Sequence, residues 1–376
     1  MLKKTIAALV VMCVLFVPIS VAAQENIPLS SLSAVLYEPQ TGRVLYEKDP
    51  DTKRPMASTT KLMTALVAAE HLPLDKTVTI PDAAVLVEGS SMGLRGGDTL
   101  TVRDLLTGML LSSGNDAANA AALLACGSLP SFAARMNDKA KELGMAKTVF
   151  VTPSGLDEGD HGSTARDMAV LGAAVLRSPD LSAICAAQHA TVTLSGNRVT
   201  LKNHNRLLSL YEPTVGLKTG FTKKSGRCLV SAATRDGVTL VIASLNGGDY
   251  WNDHIALYEY GFSQTESVAL PLPSASCIPV AGGVHAQVAY EVIPPKPQTL
   301  RKGEASQVTC EAHLPSFLWA PVSAGDTIGT VQYRLGNTLL QETPIRLTET
   351  VAARPPLGFF KNWGRHLGRL LTALMG

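Results

Sequence analysis

The sequence predicts an α/β (α+β) domain, a mixed sheet covered by helices, followed by a small all-β domain. Between about residues 30 and 262, strand-like segments stand at both ends and helical segments lie between them, which favours a sheet with helices packed on it. After about residue 264 the composition changes to short runs rich in Val, Thr and Pro, which is typical of a separate β domain. The 376 residues, 46% hydrophobic and 17% charged, suffice for two or three folded domains.

Residues 1–23 have the pattern of a secretory signal peptide. Two lysines precede an apolar run from Ile6 to about Ile19, and Val21 and Ala23 occupy positions −3 and −1 of a cleavage site after Ala23. The apolar run is short for a membrane span, so the pattern favours cleavage over an uncleaved anchor. The sequence therefore predicts an exported protein.

Periodicity assigns the elements of the first domain, residues 24–263. Residues 32–46 alternate around a Pro/Gly turn and predict a β-hairpin. Apolar positions three and four apart predict helices at 61–70, 102–111, 116–126, 131–143 and 163–176. Alternation then predicts a hairpin at 190–201 that turns on Gly196-Asn197, strands at 228–234 and 238–245, and a closing helix at 253–260.

Residues 264–352 form the predicted β domain, with strands expected at 268–272, 285–292, 307–312 and 327–334. Residues 353–376 are a Pro-containing linker followed by an amphipathic helix. Its apolar face consists of Phe360, Trp363, Leu367, Leu370, Leu371 and Leu374, and its basic face of Lys361, Arg365 and Arg369. Such a helix fits the surface of a membrane better than a span, with docking on the protein itself as the alternative.

Charge and cysteine content exclude several classes of protein. A net charge of +2 is too small for a typical nucleic-acid-binding protein. Five cysteines remain after the signal peptide, without CxxC or His-rich spacing, so neither a metal site nor a disulfide framework is expected. We also expect no cofactor, and we expect the one conceivable bridge, Cys277 to Cys310, to be unformed.

Three short motifs carry the chemistry. They are Ser58-Thr-Thr-Lys61, Ser113-Gly-Asn115 and Lys218-Thr219-Gly220. In the first motif the spacing of three places the lysine beside the serine hydroxyl on one helix face. A serine is a weak nucleophile until a base takes its proton, and a lysine can be that base if burial or a nearby cation, such as Lys218, lowers its pKa.

The other two motifs depend on their surroundings. A second copy of Ser-Gly-Asn, at 195–197, lies between strand-like flanks and is interpreted as a hairpin tip. The first copy lies between two predicted helices, where a loop tip can hold polar side chains. The Lys218 motif fits an edge strand, with Gly220 permitting close approach of a substrate backbone. The backbone N–H groups of Ser58 and Phe221 are candidate oxyanion donors.

Together these motifs resemble the serine D-Ala-D-Ala carboxypeptidases, the low-molecular-weight penicillin-binding proteins, and so imply a serine β-lactamase/transpeptidase-like fold. The resemblance covers about residues 30–262. It is carried by the segments 55–66, 110–117, 153–156, 161–168, 203–208 and 216–222.

The resemblance implies removal of the terminal D-Ala from a peptidoglycan stem peptide ending in D-Ala-D-Ala, through an acyl-enzyme on Ser58, and covalent inhibition by β-lactams such as penicillin. By this analogy Lys61 is the general base, Ser113 relays protons between Lys61 and Lys218, and Asn115 holds the substrate amide. Lys218 and Thr219 hold the terminal carboxylate. Separately, the signal peptide and the amphipathic tail predict that the protein is exported and anchored on the outer face of the cytoplasmic membrane.

The sequence departs from the family pattern at two places. Arg227 stands where relatives often have a Tyr, and the stretch 248–253 lacks an Arg that often assists with the carboxylate. Three other functions remain open: a D,D-endopeptidase, a β-lactamase with Glu158 as the candidate base, and a non-catalytic peptidoglycan-binding protein. His161, Arg166 and Asp167 are interpreted as structural, with Arg166 paired inside its own loop.

Overall fold

A five-stranded sheet lies at the centre of the first domain in the computed structural model, which describes residues 26–355 and 371–374. The strands of this domain are β1 (Ser33–Glu38), β2 (Arg43–Lys48), β3 (Thr77–Thr79), β4 (Thr99–Thr101), β5 (His189–Leu194), β6 (Asn197–Lys202), β7 (Thr214–Thr222), β8 (Gly226–Arg235) and β9 (Val238–Gly247). The central sheet has the order β2–β1–β9–β8–β7, with every neighbouring pair antiparallel. This order makes β7 an edge strand, as predicted.

Eight α-helices accompany these strands within the described residues. They are α1 (Lys61–His71), α2 (Val102–Leu111), α3 (Asn115–Cys126), α4 (Leu129–Glu142), α5 (Ala165–Leu176), α6 (Pro179–Ala186), α7 (Leu207–Leu210) and α8 (Tyr250–Gln264). The six helices predicted for this domain are confirmed within a few residues. Sequence analysis missed α6, although Ser178 caps it and Pro179 opens it, because the helix is only two turns long.

Helices cover both faces of the central sheet and so create two cores. Helix α8 packs on one face, where Leu36, Ile242 and Tyr258 belong to one apolar cluster. Helices α1 to α6 occupy the other side in a larger cluster that contains Val230 and Val241. Strands β8 and β9 therefore carry nearly continuous apolar residues, as expected for strands buried on both faces.

The second domain is built on a six-stranded sheet. Its strands are β10 (Thr265–Val268), β11 (Ser276–Ala281), β12 (Gln287–Val292), β13 (Gln298–Arg301), β14 (Val308–His313), β15 (Leu318–Trp319), β16 (Thr327–Leu335) and β17 (Thr338–Leu347). The order is β14–β16–β17–β12–β11–β15, while β10 pairs with β13 separately. The predicted all-β character is confirmed.

Prolines account for one wrong strand prediction and for one strand that was not predicted in this domain. The strand expected at 268–272 is wrong, because β10 ends at Val268 and Pro271 and Pro273 cannot donate to a ladder. Strand β17 was missed because Pro344 interrupts its pattern. The structure accommodates Pro344 opposite Thr330, next to a bulge at Gly329 in β16.

Contacts of the β1–β2 turn and of β2 tie the two domains together. Gln40 donates to the Pro297 carbonyl over 2.8 Å and accepts from the Thr299 N–H over 2.7 Å. Arg43 pairs with Glu304 at 2.6 Å. The division at residues 263 and 264 stays a prediction, as does the role of the predicted leader 1–23, which lies outside the described residues.

The predicted tail helix falls mostly outside the described residues, with helical structure present over 371–374. In the described part of the chain, no single helix is long and apolar enough to cross a membrane, although two bent pairs of helices meet that length and composition. The five cysteines of this part are free thiols, and Cys277 and Cys310 are exposed and unbridged, as expected.

A buried histidine links α8 to the sheet. The His254 ring is fully buried, with Nδ1 2.6 Å from the Ser231 hydroxyl and Nε2 2.7 Å from the Ser244 hydroxyl. Burial lowers the pKa of His254 to about 3, with a small opposing effect of Asp253. Burial likewise lowers the pKa of His161 to about 4.

The lowered pKa values of these two histidines predict that the protein loses stability as the pH falls. Below pH ~6.5 the unfolded chain binds protons that the folded rings exclude, so each ring lowers the free energy of unfolding by up to about 1.4 kcal/mol per pH unit as pH falls toward its folded pKa. Chemical denaturation between pH 7 and 4 measures how the free energy of unfolding depends on pH. In His254→Gln this dependence should become weaker by the equivalent of about one bound proton. The exposed His285→Gln should leave the slope unchanged, and an unaltered slope in His254→Gln would contradict this account.

Candidate active site

Ser58 lies in a short 3₁₀ turn, Ala57–Thr60, that leads directly into α1. We call it the Ser58 turn. Sequence analysis placed Ser58 in the first turn of the helix itself, and the structure places it one turn earlier. Thr59 donates its hydroxyl to the Met56 carbonyl over 2.6 Å and holds the turn closed. The spacing of three between Ser58 and Lys61 is preserved.

Lys61 is the first residue of α1 and is completely buried. Its Nζ lies 2.9 Å from Ser58 Oγ, 2.7 Å from Asn115 Oδ1 and 2.6 Å from the Ser154 carbonyl oxygen. Burial lowers the pKa of Lys61 well below its usual value, and the charge of Lys218 lowers it further, against a smaller opposing effect of Asp116. The predicted neighbouring cation is therefore present.

The hydrogen bonds around a neutral Lys61 have one consistent arrangement. The Asn115 amide oxygen and the Ser154 carbonyl can only accept, so they take the two protons of the neutral amine. Its lone pair is then left facing the Ser58 hydroxyl, which can donate to it. This arrangement suits a base that removes the Ser58 proton.

Lys218 lies in β7 and is also buried, at 1% exposure. Its Nζ donates to the Thr219 carbonyl over 3.1 Å. Burial lowers the pKa of Lys218 to about 8, with a small opposing effect of Cys185. A lysine with this pKa remains largely protonated at neutral pH, so it supplies a cation to the site.

The second motif supports the site from the start of α3. Asn115 donates its Nδ2 to the Glu88 carbonyl over 2.7 Å and accepts from Lys61. Ser113 adopts φ 61° and is 5% exposed at the pocket wall. Its hydroxyl has no hydrogen bond to either lysine in the described structure, so the predicted relay through Ser113 stays a prediction.

Asp116 is a supporting residue that sequence analysis missed. It is 2% exposed, and its carboxylate accepts from the backbone N–H groups of Met92, Gly93 and Leu94 at 2.8 to 3.0 Å. These bonds hold the loop that carries Ser90 against the pocket. The sequence feature that could have identified Asp116 is its position directly after Asn115 in the first turn of α3, where an acidic residue is favoured.

The third motif forms the wall opposite the Ser58 turn. A Cβ atom added at Gly220 would lie 2.9 Å from the Met56 carbonyl oxygen and 3.0 Å from the amide nitrogens of Ser58 and Thr59. The close approach at Gly220 is therefore to the protein's own Ser58 turn, and approach of a substrate there stays a prediction. The pocket between the two walls has a volume of about 240 Å³ and is lined by Ser58, Ser90, Ser113, His204, Thr219, Gly220, Phe221, Arg227 and Tyr250.

The other residues considered from the sequence lie outside this pocket. His161 Nε2 is 2.9 Å from the Thr60 hydroxyl, and its Nδ1 accepts from the Val151 N–H over 3.0 Å, so the neutral ring joins the 151–162 loop to the Ser58 turn. Arg166 pairs with Glu47 and Asp51. The expectation that Arg166 pairs inside its own loop is wrong, because the start of α5 faces the end of β2 and the segment that follows it.

The second Ser-Gly-Asn copy is confirmed as a hairpin tip. Leu194 pairs with Asn197, which leaves Ser195 and Gly196 as a two-residue turn, one residue earlier than expected. Both have positive φ, 47° and 80°, as a hairpin turn of this type requires.

The packing at Gly220 predicts a selective loss of reactivity. In Gly220→Ala the new methyl group must push the Ser58 turn away from β7, and a displacement of about 1 Å costs on the order of 10²-fold in rate. We expect covalent labelling of Ser58 by fluorescent penicillin to slow by that factor. Gly248→Ala is the control, because its nearest neighbour lies 3.8 Å away. Equal labelling rates would contradict the account, provided that both variants unfold at the temperature of the parent.

Comparison with known proteins places this geometry in a family. The model of a family described as D-alanyl-D-alanine carboxypeptidase matches residues 20–248, and one described as the C-terminal domain of penicillin-binding protein 5 matches residues 278–353. The D-alanyl-D-alanine carboxypeptidase DacF of Bacillus subtilis (strain 168) is 30% identical over 380 residues, 96% of this chain and 97% of that protein.

Two further relatives cover different parts of the chain. The D-alanyl-D-alanine endopeptidase of Pseudomonas aeruginosa is 38% identical over 226 residues, 58% of this chain and 73% of that protein. The crystal structure of penicillin-binding protein 5 from Haemophilus influenzae superposes with a TM-score of 0.64 at 28% identity, and covers 87% of this chain and 99% of that one. The chain belongs to the D-alanyl-D-alanine carboxypeptidase family, the serine-type low-molecular-weight penicillin-binding proteins.

Proposed function

We propose that Ser58 is the nucleophile of this carboxypeptidase and that Lys61 is its general base. The observation that supports this assignment is the set of hydrogen bonds made by Lys61. When a neutral amine donates its two protons to Asn115 and Ser154, its lone pair faces the Ser58 hydroxyl. Ser58 Oγ attacks the carbonyl carbon between the last two D-Ala residues while its proton passes to Lys61. Collapse of the tetrahedral intermediate breaks the C–N bond, and the departing amine of D-Ala takes a proton.

The backbone amides of Ser58 and Phe221 are proposed to bind the oxyanion. Gly220 packs directly on the Ser58 amide nitrogen, so the N–H of the following residue, Phe221, lies on the adjoining part of β7. Two amides from different elements can then converge on one oxygen, as acyl-transfer sites require.

The remaining polar residues are proposed to position the substrate and move protons. Asn115 still has one N–H and one acceptor position available after its bonds to Lys61 and Glu88, which suffice for a substrate amide. The Thr219 hydroxyl, with the nearby Lys218 charge, attracts the terminal carboxylate. Ser113 is proposed to relay protons between the two lysines, and Lys61 to activate the water that hydrolyses the acyl-enzyme.

The geometry favours this function over a β-lactamase. Rapid hydrolysis of penicillin needs a strong base for the deacylating water, and Glu158 was the candidate from the sequence. Glu158 is exposed and lines a separate surface pocket beside α4, and no carboxylate lines the pocket of Ser58 in the described structure. A penicillin adduct should therefore be long-lived. A non-catalytic role is disfavoured because Ser58, Lys61 and Lys218 are all present and assembled.

Preference for carboxypeptidase over endopeptidase activity is supported by the extent of the relatives. The carboxypeptidase DacF matches along 96% of the chain, whereas the endopeptidase matches along 58% of it. We propose that the enzyme acts on stem pentapeptides and, by removing their last D-Ala, limits cross-linking of the cell wall.

Removing the nucleophile should abolish both reactions of the protein. Ser58→Ala should neither be labelled by fluorescent penicillin nor release D-Ala from a pentapeptide, because the hydroxyl that forms the proposed acyl-enzyme is removed. The control is Ser195→Ala, which alters the serine of the hairpin-tip copy. A cross-linked dimer of stem peptides, supplied in the same assay, measures whether the enzyme prefers the terminal D-Ala bond or the cross-link. Labelling that persists in Ser58→Ala would refute the assignment.

We further propose that the predicted signal peptide exports the enzyme and that the amphipathic tail holds it on the outer face of the cytoplasmic membrane. The support is the sequence pattern alone: aromatic and Leu residues on one helical face, with Lys361, Arg365 and Arg369 on the other. Each basic residue contributes about 1 kcal/mol of attraction to an anionic surface.

Deleting residues 357–376 should therefore release the enzyme from membranes without loss of D-Ala release. Cosedimentation with vesicles that contain anionic lipid measures the binding. Reversing the three charges (K361E, R365E and R369E) should weaken binding strongly, because the attraction becomes repulsion. Sedimentation of the truncated protein equal to that of the full chain would show that the tail is not the anchor.

A further inference from the structure

The Arg227 side chain is the one exposed cation in the lining of the Ser58 pocket, within the described structure. Its guanidinium carbon lies 5.9 Å from the centre of the Phe221 ring and 5.8 Å from that of Tyr250. No carboxylate of the described residues forms an ion pair with it. The pocket therefore contains a guanidinium whose charge is not matched by the protein.

The sheet register places Arg227 beside the carboxylate-binding threonine. Arg227 in β8 is directly opposite Phe221 in β7, and Thr219 precedes Phe221 by two residues on the same strand. Residues two apart in a strand share a face, so Thr219 and Arg227 are diagonal neighbours on one face, about 7–8 Å apart between α-carbons. That separation leaves room for a carboxylate between the Thr219 hydroxyl and the guanidinium.

Two aromatic rings hold the guanidinium in place. Cation–π contacts at exposed sites are weak. They are too weak to explain an unpaired charge at the pocket but sufficient to orient the planar group. Burial raises the pKa of Tyr250, and the neighbouring Arg227 partly offsets that rise. The guanidinium is therefore oriented by the two rings in the lining of a solvent-accessible pocket.

Lys218 alone is poorly suited to bind a carboxylate. It is 1% exposed, and one of its N–H groups donates to the Thr219 carbonyl. A guanidinium presents two parallel N–H donors that match the two oxygens of a carboxylate, whereas an ammonium acts as a point charge. The stretch 248–253, which follows β9 at the same end of the sheet, contains no Arg or Lys.

We propose that Arg227 binds the C-terminal carboxylate of the substrate by a bidentate hydrogen bond, together with the Thr219 hydroxyl. Arg227 thereby determines specificity for a peptide that ends in a free carboxylate. This inference rests on the proposed carboxypeptidase reaction at Ser58 and adds to it the group that recognises the end of the chain.

The test compares two peptides that differ only in their end, D-Ala-D-Ala with a free carboxylate and the same peptide with a terminal carboxamide. Arg227→Gln keeps part of the stem and removes the charge. It should lower kcat/KM for the carboxylate peptide by roughly 10- to 100-fold, the range for a hydrogen bond to a charged group, and leave the carboxamide peptide within about twofold. Arg227→Lys should recover only part of the loss.

Lys224→Gln is the matched control, since it removes an exposed charge from the β7–β8 connection outside the pocket lining. It should leave both peptides unaffected. Equal losses on the two peptides in Arg227→Gln, or no loss, would overturn the proposal, and unfolding temperatures equal to the parent exclude a structural cause. Failure of the parent enzyme to release D-Ala would instead refute the function at Ser58, so the two failures are distinguishable.

Discussion

The burial of Lys61 is the constraint on which the rest of the site depends. A charged lysine in a site without water would be unfavourable by several kcal/mol, so the protein lowers its pKa instead of pairing it with a carboxylate. The acceptors offered to it, from Asn115 and Ser154, are neutral. A carboxylate in either place would favour the charged form of Lys61.

The surrounding fold keeps the pKa of Lys61 low. Helix α1 lies within the larger core, which brings Lys61 under apolar residues and joins it to the loop 153–154. Asp116, whose negative charge favours protonation of Lys61, accepts hydrogen bonds from three backbone N–H groups of the 92–94 loop. The cation of Lys218 opposes protonation of Lys61 and has the larger effect.

Much of the fold followed from the sequence because its signals are local. The helices were predicted from apolar spacing, and the Ser58 and Lys218 motifs were predicted to be neighbours from their types and order. Features set by pairing between distant strands were not predictable. Strand β17 is recognisable only from its place between β16 and β12, which offset the proline in it. The partners of Arg166 are likewise more than 100 residues away in the chain.

In the site, too, features that depend on residues distant in the chain could not be predicted from local sequence signals. The close contact of Gly220 with the Ser58 turn joins segments about 160 residues apart in the chain. From the sequence, Gly220 was interpreted as making room for a substrate backbone, whereas in the structure it makes room for the Ser58 turn. Arg227 illustrates the opposite case. Taken alone, the loss of an Arg from 248–253 suggested weaker carboxylate binding, and the Arg at 227 was a second, unrelated departure. The register of β7 and β8 brings Arg227 to the pocket. Under the proposal above, the two departures are then connected, because Arg227 supplies the positive charge that the stretch 248–253 lacks.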